Sequence, residues 1–389
     1  MAATSDFFGQ RSAQAVLKHG VLTRYAHYFA GRAGFATHGR VAFIDGYAGE
    51  GRYQDGSPGS PLLLASQATR AQMFERDVKL AFVERDADRR HELRESLAEA
   101  GAEPDQLLGG DLDVVLDGLL DRYRDHAVLL FVDPFGLAVD RSTLERVLRR
   151  RSPRQPIDVL YHFSLSTVAR MGRAGVVDGP TSHQNADHLD AALGAIGWRE
   201  DFSGATAPNA PTEAALGVAR RFGESVLRAT EIQSTGVAVR QRPGHLPKYL
   251  LMLFSADQKA HWDFADLASK AYVDWLHHCD REDYEANVRF REEQGLIELF
   301  ATPEPNMKDI DDQLRHDAAA YLPDHLAEVI RRGGSLRPID AVEDVYGEMM
   351  GRARVTHVRA ALKELHSAGL IDDDGTREFW NRTIRWRDR

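Results

Sequence analysis

"RVAFIDGYAGEGRYQDGSPGSPLLLAS", Arg40 to Ser66, joins an apolar run ending at Asp45 to a glycine-rich stretch and then to a second apolar segment. Such a succession reads as strand, loop and helix of a parallel α/β sheet. Gly46, Gly49 and Gly51 lack side chains, so backbone at these positions can approach a ligand closely. A dinucleotide fingerprint would lead directly into a helix, whose N-terminus meets the pyrophosphate. Here "RYQDGSPG" intervenes, and the helix is expected to begin with Ser60 as N-cap and Pro61 at its first position. The longer loop suits a ligand with no pyrophosphate.

Working outward, further strands are expected at "VKLAFVE" (Val78 to Glu84), "AVLLFVD" (Ala127 to Asp133) and "IDVLYHFS" (Ile157 to Ser164), with a weaker one near "QLLGGD" ending at Asp111. Amphipathic helices fit between them at "ADRRHELRESLAEAG", "DVVLDGLLDRYRD" and "STLERVLRRR". A helix covering "SAQAVLKHGVLTRYAHYFAGRAG" precedes the first strand. "TGVAVRQR" and "KYLLMLFSA", separated by "PGHLP", make an antiparallel hairpin at the sheet edge. The pattern predicts a Rossmann-like, seven-stranded α/β sheet of the class I AdoMet-dependent methyltransferase kind. Residues 1–275 form this domain, with 165–232 an insertion or lid; 276–330 form a helical linker, and 331–389 a winged-helix-like module. Residues 351–389 hold nine Lys or Arg against six acids, which makes this module the candidate nucleic-acid-facing element, with protein contact as the alternative.

Composition narrows the functional classes. A formal charge of −10 argues against a protein coated in positive potential, so nucleic-acid contact falls to local basic patches. The one cysteine, Cys279, excludes an internal disulfide and fits a reducing cytoplasm. No apolar run approaches the length of about 18 residues that marks a membrane span, and "MAATSDFFGQR" has no signal-like stretch. "HHCD" at His277 to Asp280 with His261 is not expected to bind metal, because neighbouring helix residues point in different directions. The run "RVLRRRSPR" lies at a helix C-terminus, where cations complement the dipole.

The chemistry-bearing residues fall at strand ends. Glu84 is placed to accept the ribose hydroxyls of a nucleoside cofactor and Asp111 the adenine amine. Asp133 opens "DPFG" at the end of the fourth strand, where ligands of open α/β sheets bind. An exocyclic amine is a poor nucleophile because its lone pair is delocalised into the base. Asp133 accepting one N–H, the Pro134 carbonyl accepting the other and Phe135 holding the ring would orient it. These positions together point to S-adenosyl-L-methionine as cofactor.

The segments "VLKHGVL", "DGYAGEGRYQDGSPGSPLLLA", "FVERD", "GGD" and "FVDPFG", with "YHFSLS" and "KYLLMLFS", resemble the three-Cys-motif partner protein family, a methyltransferase-like group associated with a cysteine-motif protein. The first half is also similar to the ribosomal RNA adenine methyltransferases that modify the exocyclic amine and carry a "DPPY" motif. The resemblance implies cofactor contact for His19, Tyr47, Ser60, Glu84 and Asp111, with Asp133 at the amine; Asp45 in the loop is a further candidate cofactor contact, and Lys18, beside His19, and Gly136 are candidate substrate contacts. Where the "DPPY" motif has its aromatic fourth, this chain has Phe135 third and Gly136 fourth. The expected function is methyl transfer to an exocyclic amine of a nucleic-acid base. The alternatives are a non-catalytic AdoMet- or nucleotide-binding scaffold for a cysteine-motif partner, and a nucleic-acid processing factor acting with that partner. A nuclease would need clustered metal-binding carboxylates, which these motifs do not supply.

Overall fold

The computed structural model describes residues 12–134, 136–137, 139–176, 182–194, 196–203, 209–294 and 303–387. The chain divides into two compact units, one comprising mainly Leu22–Gln241 and His245–Ala256, the other Ala13–Val21, Arg242–Gly244 and the chain from Asp257 onward.

The first unit contains most of α1 (Ala13–Ala36) and then alternates β1 (Arg40–Asp45), α2 (Ser60–Gln72), β2 (Asp77–Val83), α3 (Ala87–Glu99), β3 (Gln106–Leu108), α4 (Leu112–Arg122), β4 (Ala127–Val132), α5 (Arg141–Arg149) and β5 (Ile157–Phe163). Four helices follow, α6 (Leu165–Val176), α7 (Ser182–Leu193), α8 (Trp198–Phe202) and α9 (Ala210–Thr230), before β6 (Gln233–Val239) and β7 (Tyr249–Ser255). The seven strands run in the order β3-β2-β1-β4-β5-β7-β6. β1 to β5 pair in parallel, and β7 is antiparallel to both β5 and β6. One reversed strand inserted between the fifth and sixth is the arrangement of the Rossmann-like class I AdoMet-dependent methyltransferase fold. The expected late hairpin is present, with β6 at the edge and β7 turned inward to complete the sheet.

Burial explains the strand sequences. "AVLLFV" of β4 is apolar throughout because every one of its residues is buried, as in a sheet covered on both faces. The segment 165–232, expected as an insertion or lid, contributes packed structure where it is described. Val168, Leu189, Trp198, Phe202, Ala215 and Phe222 lie in the same apolar core as Tyr161 and Phe163 of β5. The rings of Tyr161 and Phe222 stack at 5.8 Å. Small polar residues in this stretch suggested loops, yet its helices bury an apolar face against the sheet. Parts of "GPTSHQN" and "SGATAPNAPTE" lie outside the described residues.

The second unit is built on α10 (Gln258–Glu293) and α11 (Met307–Gly333), followed by β8 (Ser335–Leu336), α12 (Val342–Tyr346), α13 (Val355–Ser367) and β9 (Ile384–Arg385). β8 pairs with β9, and Ile371 bridges Trp386. Trp262 and Ala265 of α10 and Leu322, Leu326 and Ile330 of α11 share a core with Val358 and Leu362 of α13 and with Ile384. Residue 275, the expected point of division, lies inside α10, and Ala318, Leu322, Leu326 and Ile330, expected in a linker, belong to this core. A helical apolar stripe looks the same in sequence whichever core it faces.

The excess of basic residues in 351–389 marks this segment as a candidate nucleic-acid-facing element, with protein contact as the alternative. In the structure Arg352 pairs with Asp317, Arg354 with Asp311, Arg382 with Asp373 and Asp374, and Arg385 with Asp372. Over 257–389 there are 19 Lys or Arg against 28 Asp or Glu, a net charge of −9. The acidity of the chain is concentrated here. Among the described residues, no helix is long and apolar enough to cross a membrane.

Candidate active site

Because β1 to β5 are parallel, their carboxyl ends lie along one edge of the sheet, and the strand order reverses between β1 and β4. Asp45 and Asp133 stand at this switch point, one at the end of β1 and the other just past β4. Asp45 is completely buried, and its Oδ1 accepts from Tyr47 N at 3.1 Å. Backbone bonds from Gly46 N to Phe131 O (2.9 Å) and from Ala48 N to Val83 O (3.0 Å) fasten the start of the loop to β4 and β2.

Of the three loop glycines, two are explained by packing. A Cβ on Gly46 would lie 2.5 Å from Leu112 Cδ2 of α4, and one on Gly51 would lie 2.9 Å from Leu93 Cδ1 of α3. Gly49 and Gly51 both take positive φ, +66° and +85°, which favours glycine, but a Cβ on Gly49 would meet nothing within 4 Å. Of Gly46, Gly49 and Gly51, Gly49 alone borders open space. The loop then folds on itself, with Tyr53 N donating to Ser57 O at 2.9 Å and Gly59 N to Gly51 O at 2.8 Å. Gly59 is the N-cap of α2, and Ser60, expected as the cap, is instead the first helical residue and buried. The reason is the close approach of Gly59 to Gly51 O, at which a Cβ would lie 2.9 Å away.

Glu84 follows β2 and reaches back to this loop. Its Oε2 accepts from Gly49 N at 2.8 Å and its Oε1 from Asp86 N at 2.8 Å. One carboxylate thus holds the open turn of the glycine loop and the entry to α3, whose N-cap is Asp86. Each oxygen has a further lone pair for a hydroxyl donor. Asp111 is the N-cap residue of α4 without a side-chain capping bond; it is 65% exposed and lies 3.4 Å from Arg85 Nη1. Burial, and the neighbouring Asp113 and Asp111 carboxylates, hold the Tyr47 phenol well above the usual tyrosine range. Burial, then Asp140, raises the Asp113 carboxyl. Sequence reading passed over Asp113 and Asp140 because each reads as an ordinary helix-start acid.

Asp133 is 18% exposed, and its Oδ1 lies 3.7 Å from His162 Nδ1 on β5. Pro134 is buried, and Phe135 lies outside the described residues. Gly136 takes φ +83° and lies against Thr167, where a Cβ would be 3.8 Å from the threonine Oγ1. Ser164 Oγ accepts from Thr167 N at 3.3 Å and so caps α6 immediately after β5. His162 was not expected in the site; the sequence places it mid-strand, and only the pairing of β4 with β5 brings it to Asp133. Lys18 and His19 lie on the part of α1 that belongs to the second unit, His19 buried and Lys18 half-buried.

The glycine loop, Glu84 and Asp111 suit the hydroxyl and amine donors that S-adenosyl-L-methionine would present: a side-chain-free turn bordering open space and two carboxylates with acceptor capacity after successive strands. Among the described residues, no group of three or more His, Cys, Asp or Glu is placed to hold a metal. Cys279 is buried, which pushes its thiol up to about 11 and leaves it unreactive at neutral pH.

No protein-family model and no curated protein matches the chain. Solved structures to which it is similar include proteins provisionally named a transferase from Pyrococcus horikoshii (11% identity, TM-score 0.26, over 56% of this chain and 57% of that one). Others are an O-methyltransferase from Klebsiella pneumoniae (14%, TM-score 0.28, over 64% and 91%) and a sarcosine dimethylglycine methyltransferase from Galdieria sulphuraria (13%, TM-score 0.26, over 60% and 85%). The chain spans little more than half the length of the first of these. The fold assignment rests on the strand order itself.

Proposed function

We propose that the chain is an AdoMet-dependent methyltransferase acting on an exocyclic amine of a nucleic-acid base. The observation that carries this reading is the convergence of Glu84, Asp111 and Asp133 on the carboxyl edge of a sheet with the class I strand order. S-adenosyl-L-methionine, when bound, supplies a methyl group made electrophilic by the sulfonium. Glu84 accepts the ribose hydroxyls while keeping the Gly49 turn in place, and Asp111 accepts the adenine amine. Asp133 accepts one N–H of the substrate amine and so aligns its lone pair, a task of orientation rather than activation. The acidic surroundings of Tyr47, Asp111, Asp113 and Asp140 favour a cationic ligand over a neutral one.

The second unit supports a winged-helix-like reading, with helix, strand, two helices and a returning strand in order and β8 paired to β9. Its net acidity and the pairing of Arg354 and Arg382 favour nucleic-acid contact through the first unit and protein contact, such as with a cysteine-motif partner, through this module. The test is calorimetric titration with AdoMet and S-adenosylhomocysteine, followed by labelled methyl uptake into RNA and DNA by wild type and Asp133→Ala. Saturable binding with methyl uptake that Asp133→Ala abolishes supports the reading; no binding to either ligand overturns it.

A further inference from the structure

We infer that His162 is the positioning residue for Asp133, an inference that rests on the methyl-transfer reading above. Val132 and Tyr161 are partners in the β4–β5 ladder, so the next residues, Asp133 and His162, stand side by side beyond it. His162 pairs with Leu251 on β7, and Tyr249, two residues along that strand, shares its face. The Tyr249 ring meets the imidazole edge-on at 4.1 Å and 69°. The imidazole is therefore packed on the Tyr249 side while Nδ1 lies 3.7 Å from Asp133 Oδ1, with the two side chains only 12% and 18% exposed.

The arrangement addresses a specific weakness of an orienting aspartate. The terminal torsion of Asp is soft and roughly two-fold, so a carboxylate held by backbone alone offers either oxygen over a wide range of angles. An Nδ1–H donor beside Oδ1 restricts the rotation of the carboxylate and so sets the direction in which it meets the amine. Catalytic hydrogen bonds are often long before substrate engages and tighten in the complex. A shift of the ring by less than 1 Å brings the 3.7 Å separation into bonding range. In the transfer, the amine lone pair forms the new N–C bond, the C–S bond breaks with its electrons going to sulfur, and one amine proton leaves to solvent. His162 takes no proton; it acts through Asp133.

The test uses the full chain and two substitutions. His162→Phe keeps the ring packing against Tyr249 but removes the donor, and is expected to lower kcat for methyl uptake about ten- to a hundredfold with the AdoMet Kd changed less than about twofold. His162→Asn restores a donor and is expected to recover most of that loss. A second readout needs neither cofactor nor substrate: in long-range proton–nitrogen spectra His162 is expected in the Nδ1–H tautomer, and Asp133→Ala shifts it toward the Nε2–H form. A His162→Phe variant as active as wild type, Phe and Asn variants equally impaired, or a tautomer indifferent to Asp133→Ala each overturns the inference. Should wild type fail to bind AdoMet, the proposed function falls, and the tautomer alone decides the pairing.

Discussion

Glu84 offers the sharpest test of how the loop and the cofactor are linked. Its carboxylate accepts two backbone N–H groups, from Gly49 and Asp86, each at 2.8 Å. A hydrogen bond to a charged group contributes about 1.5–3 kcal/mol when protected; competition from water at this half-buried position reduces each to about 1 kcal/mol. Glu84→Ala is thus expected to cost about 2 kcal/mol, which lowers Tm by roughly 4–8 °C in a domain of this size. It also removes the acceptor for the ribose hydroxyls and loosens the turn at Gly49, weakening AdoMet by about thirtyfold for a further 2 kcal/mol. Glu84→Gln separates charge from shape. Its single carbonyl satisfies one of the two N–H groups, and its NH2 turns toward the other, donor against donor. Glutamine should therefore lose at least half of what alanine loses. Calorimetry with AdoMet and S-adenosylhomocysteine, alongside thermal melts, reads both effects. A glutamine variant with wild-type Kd and Tm would refute the reasoning, because the carboxylate would then be holding neither loop nor ligand.

Gly46→Ala is expected to destabilise the first unit by about 1–3 kcal/mol through overlap with Leu112, whose Cδ2 lies 2.5 Å from the added Cβ. Combining it with Leu112→Ala, compared against Leu112→Ala alone, should remove most of that penalty in denaturant melts. Hydrogen bonding by Arg122 Nε at 2.8 Å, together with the Tyr123 hydroxyl, holds the Asp105 carboxyl below its usual range. Its stabilising contribution is complete above the unfolded value near pH 4 and is lost as pH falls through the folded value. Asp105→Asn should accordingly cost about 1 kcal/mol at pH 7 and flatten the fall in stability below about pH 4, as measured by urea unfolding across pH. Arg382→Ala, which breaks ion pairs with Asp373 and Asp374, should lower Tm by at most a few degrees. It should leave nucleic-acid affinity within about twofold at fixed salt; a large loss, with a shallower salt dependence, would favour nucleic-acid contact through the second unit.

The sequence by itself determined the first unit to a large extent. Alternation of short apolar runs with amphipathic stretches places β1, β2, β4 and β5, because strands buried on both faces must be apolar throughout and crossover helices must carry one apolar stripe. Strand polarity then fixes that Glu84, Asp111 and Asp133 share an edge, since parallel strands put their carboxyl ends together. Tertiary structure decided what local pattern cannot carry. That Gly46 and Gly51 serve packing while Gly49 faces open space depends on where Leu112 and Leu93 arrive from α4 and α3. That Arg352 and Arg354 are paired depends on Asp317 and Asp311, contributed by α11 rather than by their own segment. His162 enters the site only through the register of β4 against β5, a cross-strand relation that no spacing along the chain encodes. Periodicity reports which face of an element is buried, whereas partners are set by which elements meet, and only the folded chain brings those together.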